Sequence, residues 1–199
     1  GAKVSFVNPG RYPYLFPIAA YLTSNGQHMF EHLVAIAAAA ARTGGRTAPE
    51  TLAALVANAQ PSDVHVSIAE QLASGEGQLI LLGALAQRDP AFADLRLVAE
   101  ALAEMTGATL GYLPDGGNAV GAHLAGVLPH RAAGGRSVQT PGMNLADMFA
   151  ARLRAYVVLG AVEPSLDIAV PGALEAFKGA ECVVALSPYA SAREYADIV

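Results

Sequence analysis

His28, Glu31 and His32 stand in the order H-x-x-E-H within "HMFEH". On a helix, residues four apart share a face, so both imidazoles could ligate one zinc ion while Glu31 served as base to a metal-bound water. That chemistry also needs a third protein ligand downstream. Glu100 or Glu104 would have to supply it by coincidence, and a five-residue pattern recurs often by chance. The expectation is therefore a helix carrying two histidines on its wetter side, with no metal.

Other reactive groups are poorly assembled in the sequence. There is no G-x-x-x-x-G-K-[ST] phosphate cradle, and "GGNAVG" lacks the G-x-G-x-x-G spacing that lets backbone approach a pyrophosphate. No G-x-S-x-G elbow seats a nucleophile, and neither Ser165 nor Ser187 has a histidine close in sequence. Asp115, Asp147, Glu163 and Asp167 are carboxylates in loop-like surroundings, and they read as solvated. The single cysteine, Cys182, excludes an intramolecular disulfide and a Cys-ligated iron–sulfur cluster within these residues.

Two loops remain, "PDGGNAVGAHLAGVLP" (114–129) and "GAVEPSLD" (160–167). Each follows an apolar strand pattern, at the end where open α/β sheets collect ligands. The glycines of the first permit tight turns, and Asn118 stands at a helix start whose free N–H groups could face an anion. The same residues make an equally good turn and cap without any ligand.

The elements that would position these loops alternate. Val4 to Val7 reads as a short strand, followed by a loop around Pro9, Pro13 and Pro17. Ser24 and Gln27 suggest a capping box before a helix with Met29, Phe30, Leu33, Val34, Ile36 and Ala37 on its apolar face, ended by Gly44-Gly45. Residues 49–58 and 63–73 read as two short helices. From Gln78 the strands "QLILLG", "ATLGYL", "AYVVLG" and "ECVVAL" alternate with helices. One helix is expected to be capped by Asp89-Pro90 and to end at Gly107. Others are expected from Asn118 to Gly126, from Asn144 to about Leu153, and from Pro171 to Lys178. This alternation predicts an α/β fold, a parallel sheet of four strands with helices on both faces. A seam is expected near Gly75–Gly77, dividing a mainly helical lead-in (1–75) from a Rossmann-like α/β region (76–199).

Composition narrows the partners. The chain has 199 residues, 53% of them hydrophobic and 15% charged, so its polar surface is thin; composition fits a piece or subunit with covered faces and an alanine-rich α/β domain about equally. The formal charge is −5 and the twelve basic residues are scattered, which argues against nucleic acid. The longest strongly apolar run, Leu33 to Ala41, is about half of what a bilayer crossing requires. The opening "GAKVSFVNP" enters a strand pattern directly and "EYADIV" stops as an apolar run begins, so the chain is expected to be a segment of something longer.

Gly116-Gly117-Asn118-Ala119-Val120-Gly121-Ala122, the later loop Gly160 to Pro164 and the closing Ala196-Asp197-Ile198-Val199 occur in an order that resembles the molybdopterin oxidoreductase family. In that family a G-x-N-x-x-G-A loop precedes a G-x-N-P loop, and an "ADV(V/I)LP" segment follows. The stretches "GQLILLGALAQRDPAFADLRLVAEALAEMTGATLGYLPDGGNAVGAHLAGVLPHR" and "VVALSPYASAREYADIV" are similar to one branch, the large iron–sulfur subunit of NADH:quinone oxidoreductase (respiratory complex I). The likeness covers Gly75 to Val199 closely and the first 75 residues loosely. It implies a fragment of a molybdopterin oxidoreductase-like domain, truncated at its C-terminus, within an enzyme that passes electrons from NADH to quinone.

The resemblance also implies what this segment lacks. Iron–sulfur clusters belong to the N-terminal part of such a subunit, outside these residues. No catalytic, cofactor-binding or metal-binding residue is expected here. Glu163 stands where cofactor-binding members carry the asparagine of G-x-N-P, and its carboxylate would face a diphosphate with like charge. The implied partners are other subunits of the peripheral arm of complex I, with no nucleic acid and no direct membrane insertion. The implied location is cytoplasmic, held at the inner face of the plasma membrane through the complex. Two other readings stand beside it: a molybdopterin enzyme such as a formate dehydrogenase that binds its dinucleotide cofactor, and an independent nucleotide- or small-molecule-binding module.

Overall fold

The computed structural model describes all residues from 1 to 199 except 26, 27, 45, 46, 115 and 169. Gln27 of the expected capping box, Gly45 of the expected helix stop and the carboxylate Asp115 therefore lie outside the described residues. The chain forms two compact units, Gly1–Gly117 and Asn118–Val199.

In the first unit, strands β1 (Val4–Asn8) and β2 (Ile18–Thr23) pair in parallel, with Phe6 opposite Tyr21. The sequence pattern does not announce β2, because the three prolines around it read only as loop. In the structure they border the strands and punctuate the connection, leaving 18–23 free to supply ladder N–H groups. The connection folds back on the sheet through aromatic contacts, with Phe6 and Tyr14 stacked at 4.4 Å.

Helices α1 (Met29–Thr43), α2 (Glu50–Asn58) and α3 (Asp63–Ala73) follow with nearly the expected bounds. The Asn25 side chain accepts the His28 N–H at 3.2 Å as the chain enters α1. Residues 35–40 of α1 are buried, five of the six being alanine. With so little side chain between backbones, α1 packs closely on both α3 and helix α5 (Phe92–Thr106). Leu52, Val56, Ile68, Ala69, Val98 and Leu102 join the same core. This core crosses the seam expected at Gly75–Gly77, and the compact units part instead between Gly117 and Asn118.

Strands β3 (Leu79–Leu82) and β4 (Thr109–Tyr112) pair in parallel, Leu79 opposite Thr109 and Leu82 opposite Tyr112. A short helix, α4 (Ala84–Gln87), follows β3. The start of α5 lies two residues beyond the expected Asp89-Pro90 cap: the Asp89 carboxylate accepts the Ala91 N–H at 2.8 Å, closing a turn before the helix begins. Gly107 ends α5 in the left-handed region, φ +77°, as its position in the sequence suggests.

The second unit contains α6 (Ala119–Ala125), α7 (Leu145–Ala150), β5 (Ala155–Leu159), α8 (Pro164–Asp167), α9 (Ala173–Lys178) and β6 (Cys182–Leu186). Strands β5 and β6 pair in parallel from Ala155 opposite Cys182 to Leu159 opposite Leu186. Ile198 makes a further parallel bridge to Val184. The core is aromatic: Phe177 meets Phe149, Tyr156 and Tyr195 with centroids 5.1 to 5.4 Å apart.

The chain is thus mixed α/β with short parallel strand pairs. Of the four strands expected to form one sheet, β3 and β4 pair within the first unit and β5 and β6 within the second. Along β5, Tyr156 and Val158 are buried while Val157 and Leu159 are 73% and 79% exposed. Such alternation marks a sheet covered on one face.

Candidate functional site

The loop after β5 turns at Gly160, whose φ of +98° suits a residue without Cβ. The Gly160 N–H donates to the Leu186 carbonyl at 3.0 Å, prolonging the β5–β6 ladder by one step. Pro164 then opens α8, where a missing N–H does no harm. The Asp167 carboxylate reaches back to accept the Glu163 N–H at 2.7 Å, and the Asp167 N–H donates to the Glu163 carbonyl at 2.8 Å. Ser165 Oγ donates to the Glu163 carboxylate at 3.1 Å. Tyr195 closes the loop from beneath, its hydroxyl donating to the Val162 carbonyl at 2.9 Å. Burial, with Glu163 nearby, pushes the Tyr195 phenol above its ordinary value.

The structure therefore brings together Glu163 and Asp167, two carboxylates that read in sequence as unrelated. It does so through backbone: the N–H of Glu163, a donor that an anion could otherwise use, is held by Asp167. The chemistry of this loop is that of a self-closed acidic turn. Ser165 bonds Glu163, and Ser187 accepts the Tyr189 N–H at 3.2 Å, so both serines have local partners other than histidine.

The other loop divides differently. Asn118 holds the N-terminal position of α6, and its carbonyl accepts the Ala122 N–H at 2.9 Å, but its side chain makes no capping bond. That side chain lies over Gly121, where an added Cβ would come within 2.1 Å of Asn118 Oδ1. Gly126 ends α6 at φ +89°, as expected. Asp147 sits in the first turn of α7, where its N–H is capped by Asn144 Oδ1 at 2.9 Å. Ahead of this loop, Gln87 Nε2 donates to the Leu82 and Leu113 carbonyls, both at 2.9 Å, and occupies the C-terminal end of the β3–β4 pair.

The histidines of "HMFEH" take separate partners. His28 Nδ1 lies 2.7 Å from the Glu31 carboxylate. His32 turns to α3, its Nδ1 2.9 Å from Nε2 of His65. His65 Nδ1 in turn lies 3.0 Å from the Ser62 amide nitrogen and 2.7 Å from Ser62 Oγ. Burial lowers the pKa of both His32 and His65 below the ordinary histidine value. The Ser62 N–H occupies the Nδ1 lone pair that a serine–histidine nucleophile would need, so this array reads as a helix cap extended to a neighbouring helix. Among the described residues no group of three or more His, Cys, Asp or Glu side chains is arranged to hold a metal ion.

The array escaped sequence reasoning because its members are 33 residues apart and meet only through packing. Its one local signal was S-x-x-H before an apolar helix. It borders an open hollow of about 520 Å³ lined by Phe30, Val34, Leu55, Asn58 and the two rings. A second hollow of about 620 Å³ lies between β2 and α3, with Arg11, Tyr12, Tyr21 and Asp63 on its walls. No helix among the described residues is long and apolar enough to cross a membrane. No protein-family model matches this chain, and no curated protein matches it significantly.

Proposed function

We propose that this chain is a structural segment of the large iron–sulfur subunit of an NADH:quinone oxidoreductase, built on a molybdopterin oxidoreductase-like domain and carrying no redox centre of its own. Its role is packing and contact with other subunits of the peripheral arm, beside the electron path, at the cytoplasmic face of the membrane. The parentage rests on the resemblance of residues 75–199. The observation that supports a vacant loop is the Glu163–Asp167 turn. Where a cofactor-binding relative offers an amide to a diphosphate, this chain offers a carboxylate and a backbone N–H already bonded to another carboxylate. A carboxylate about 4 Å from a phosphate charge opposes it by roughly 1 kcal/mol in a wet site, and by more in a dry one.

The test is an in-frame deletion of the codons for residues 76–199 in the organism that carries them. Membranes from that strain should lose NADH-driven quinone reduction, and in the undeleted strain the chain should be found by mass spectrometry in the purified complex. Undiminished quinone reduction, with the chain absent from the complex, overturns the proposal. Micromolar binding of a guanine nucleotide to the purified chain would favour the cofactor-binding reading instead.

A further inference from the structure

The three-residue relay from Ser62 through His65 to His32 fixes its own protons. A backbone N–H can only donate, so the Ser62 amide requires a bare lone pair on His65 Nδ1. The neutral His65 ring then carries its proton on Nε2 and donates to His32 Nδ1 at 2.9 Å. His32 must accept there, which leaves its own proton on Nε2. The rings lie 5.2 Å apart at 28°, and His65 is 7% exposed, so packing holds its ring between Ser62 and His32.

An added proton has no place in this relay. On His32 Nδ1 it would confront the His65 N–H, donor to donor. If His65 shifted its proton to Nδ1, that proton would confront the Ser62 N–H, and the N-cap donor of α3 would lose its acceptor. Ser62 Oγ could take the shifted proton, yet the amide would still be stranded. We propose that Ser62, His65 and His32 form a pH-sensitive latch that fastens the N-terminus of α3 to α1 while both rings are neutral and releases it when either ring is protonated. This device is independent of the parentage proposed above.

The charges around the latch are few. Burial, the largest effect, lowers the His32 pKa, Glu31 on α1 opposes it, and His28 adds to the lowering. On His65 burial acts first and His32 second, again downward. The α2 side of the hollow brings Ala54, Leu55, Asn58 and Ala59, and Gln60 follows, none of them titratable. Asp63, next to Ser62, lines the other hollow. Helix α5 packs on α1 and α3 and is not among the charges acting on either ring.

The direction in pH follows from linkage. An unfolded histidine titrates near 6.5, and the folded values lie lower, so the open form binds more protons on the acid side. The latch is therefore fully effective above about pH 6.5 and weakens as pH falls below it, until the folded values are passed. Each ring can shift the opening equilibrium by up to about tenfold per pH unit within that window.

Hydrogen exchange of the amides of residues 62–66 in the 199-residue chain, corrected for intrinsic rates, tests this between pH 7.5 and 5.5. Protection should fall more than threefold in the native sequence, with about tenfold per ring as the ceiling. In His65→Gln, which creates a non-titrating Ser-x-x-Gln capping box, the fall should be less than about threefold. Equal falls in both proteins overturn the latch. Ring nitrogen NMR of the unmodified chain decides the matter separately, should the variant not fold. Protons on Nε2 of both rings at pH 7.5, with titration below 6.5, support the latch, whereas a proton on His65 Nδ1 or titration at or above 6.5 refutes it.

Discussion

Leu102→Ala tests whether the first unit is held by the helix triangle of α1, α3 and α5. Leu102 is 1% exposed and belongs to the core that includes the alanine run of α1 together with Ile68 and Ala69 of α3. The substitution removes three carbons, worth about 0.8 kcal/mol each, or about 2.4 kcal/mol in transfer free energy. The alanine-lined walls have few flexible side chains to move inward, so a void remains. At about 24 cal/mol per Å³, a residual cavity of about 50 Å³ adds about 1.2 kcal/mol, for a total of about 3.6 kcal/mol. Leu97 on the same helix is 48% exposed, and Leu97→Ala should cost less than about 1 kcal/mol.

Because the chain forms two units, one bulk melting curve need not report a single transition. Hydrogen exchange read by mass spectrometry separates them. Peptides of α1 and α5 in Leu102→Ala should open about 400-fold more readily, the equivalent of about 3.6 kcal/mol, while peptides of β5 and β6 stay unchanged. Equal effects from Leu97→Ala and Leu102→Ala, or an equal response in β5 and β6, would show that packing in this triangle is not what holds the unit.

Gly126→Ala should destabilise the second unit by at least about 1–3 kcal/mol, read as a lower urea midpoint, because φ is +89° and the new Cβ would lie 2.6 Å from the Ala133 nitrogen. Asn144→Ala, which removes the acceptor of the Asp147 N–H, should cost about 1 kcal/mol and increase exchange in the first turn of α7; an unchanged first turn would show the cap to be idle. Calorimetry of the chain with guanine nucleotides should show no binding at micromolar concentration. Glu163→Asn alone should not create it, since Asp167 still holds the backbone N–H.

Local pattern carried much of the fold. The bounds of α3 could be read from Asp63 to Ala73, and the buried stripe Leu95, Val98, Leu102 and Met105 from its helical spacing. Strands β3 to β6 were legible as apolar runs. What could not be read was decided by distant partners. The boundary between units depends on α1 packing against α5, across the glycines that looked like a seam. Strand β2 was hidden because its flanking prolines signal loop, although the aromatic stack of Phe6 on Tyr14 returns that loop to the sheet. A run of apolar residues gives a strand, but it does not say whether one face or two will be covered.

The chemistry-bearing residues divide along the same line. Pro164 at a helix start with Asp167 four residues after Glu163 is a local pattern, and the two acidic residues also form a bonded turn that this pattern could have announced. His32 is different. Helical periodicity pairs it with His28, four residues back at the entry to α1, and that pairing suggests metal chemistry. Packing pairs it with His65, and the Ser62 N–H then dictates which nitrogens hold protons. A backbone donor at a helix end thus reaches across two side chains to determine the tautomer of a ring on another helix. Only the tertiary contact makes that inference available, because the sequence contains the donor and both rings without saying that they meet.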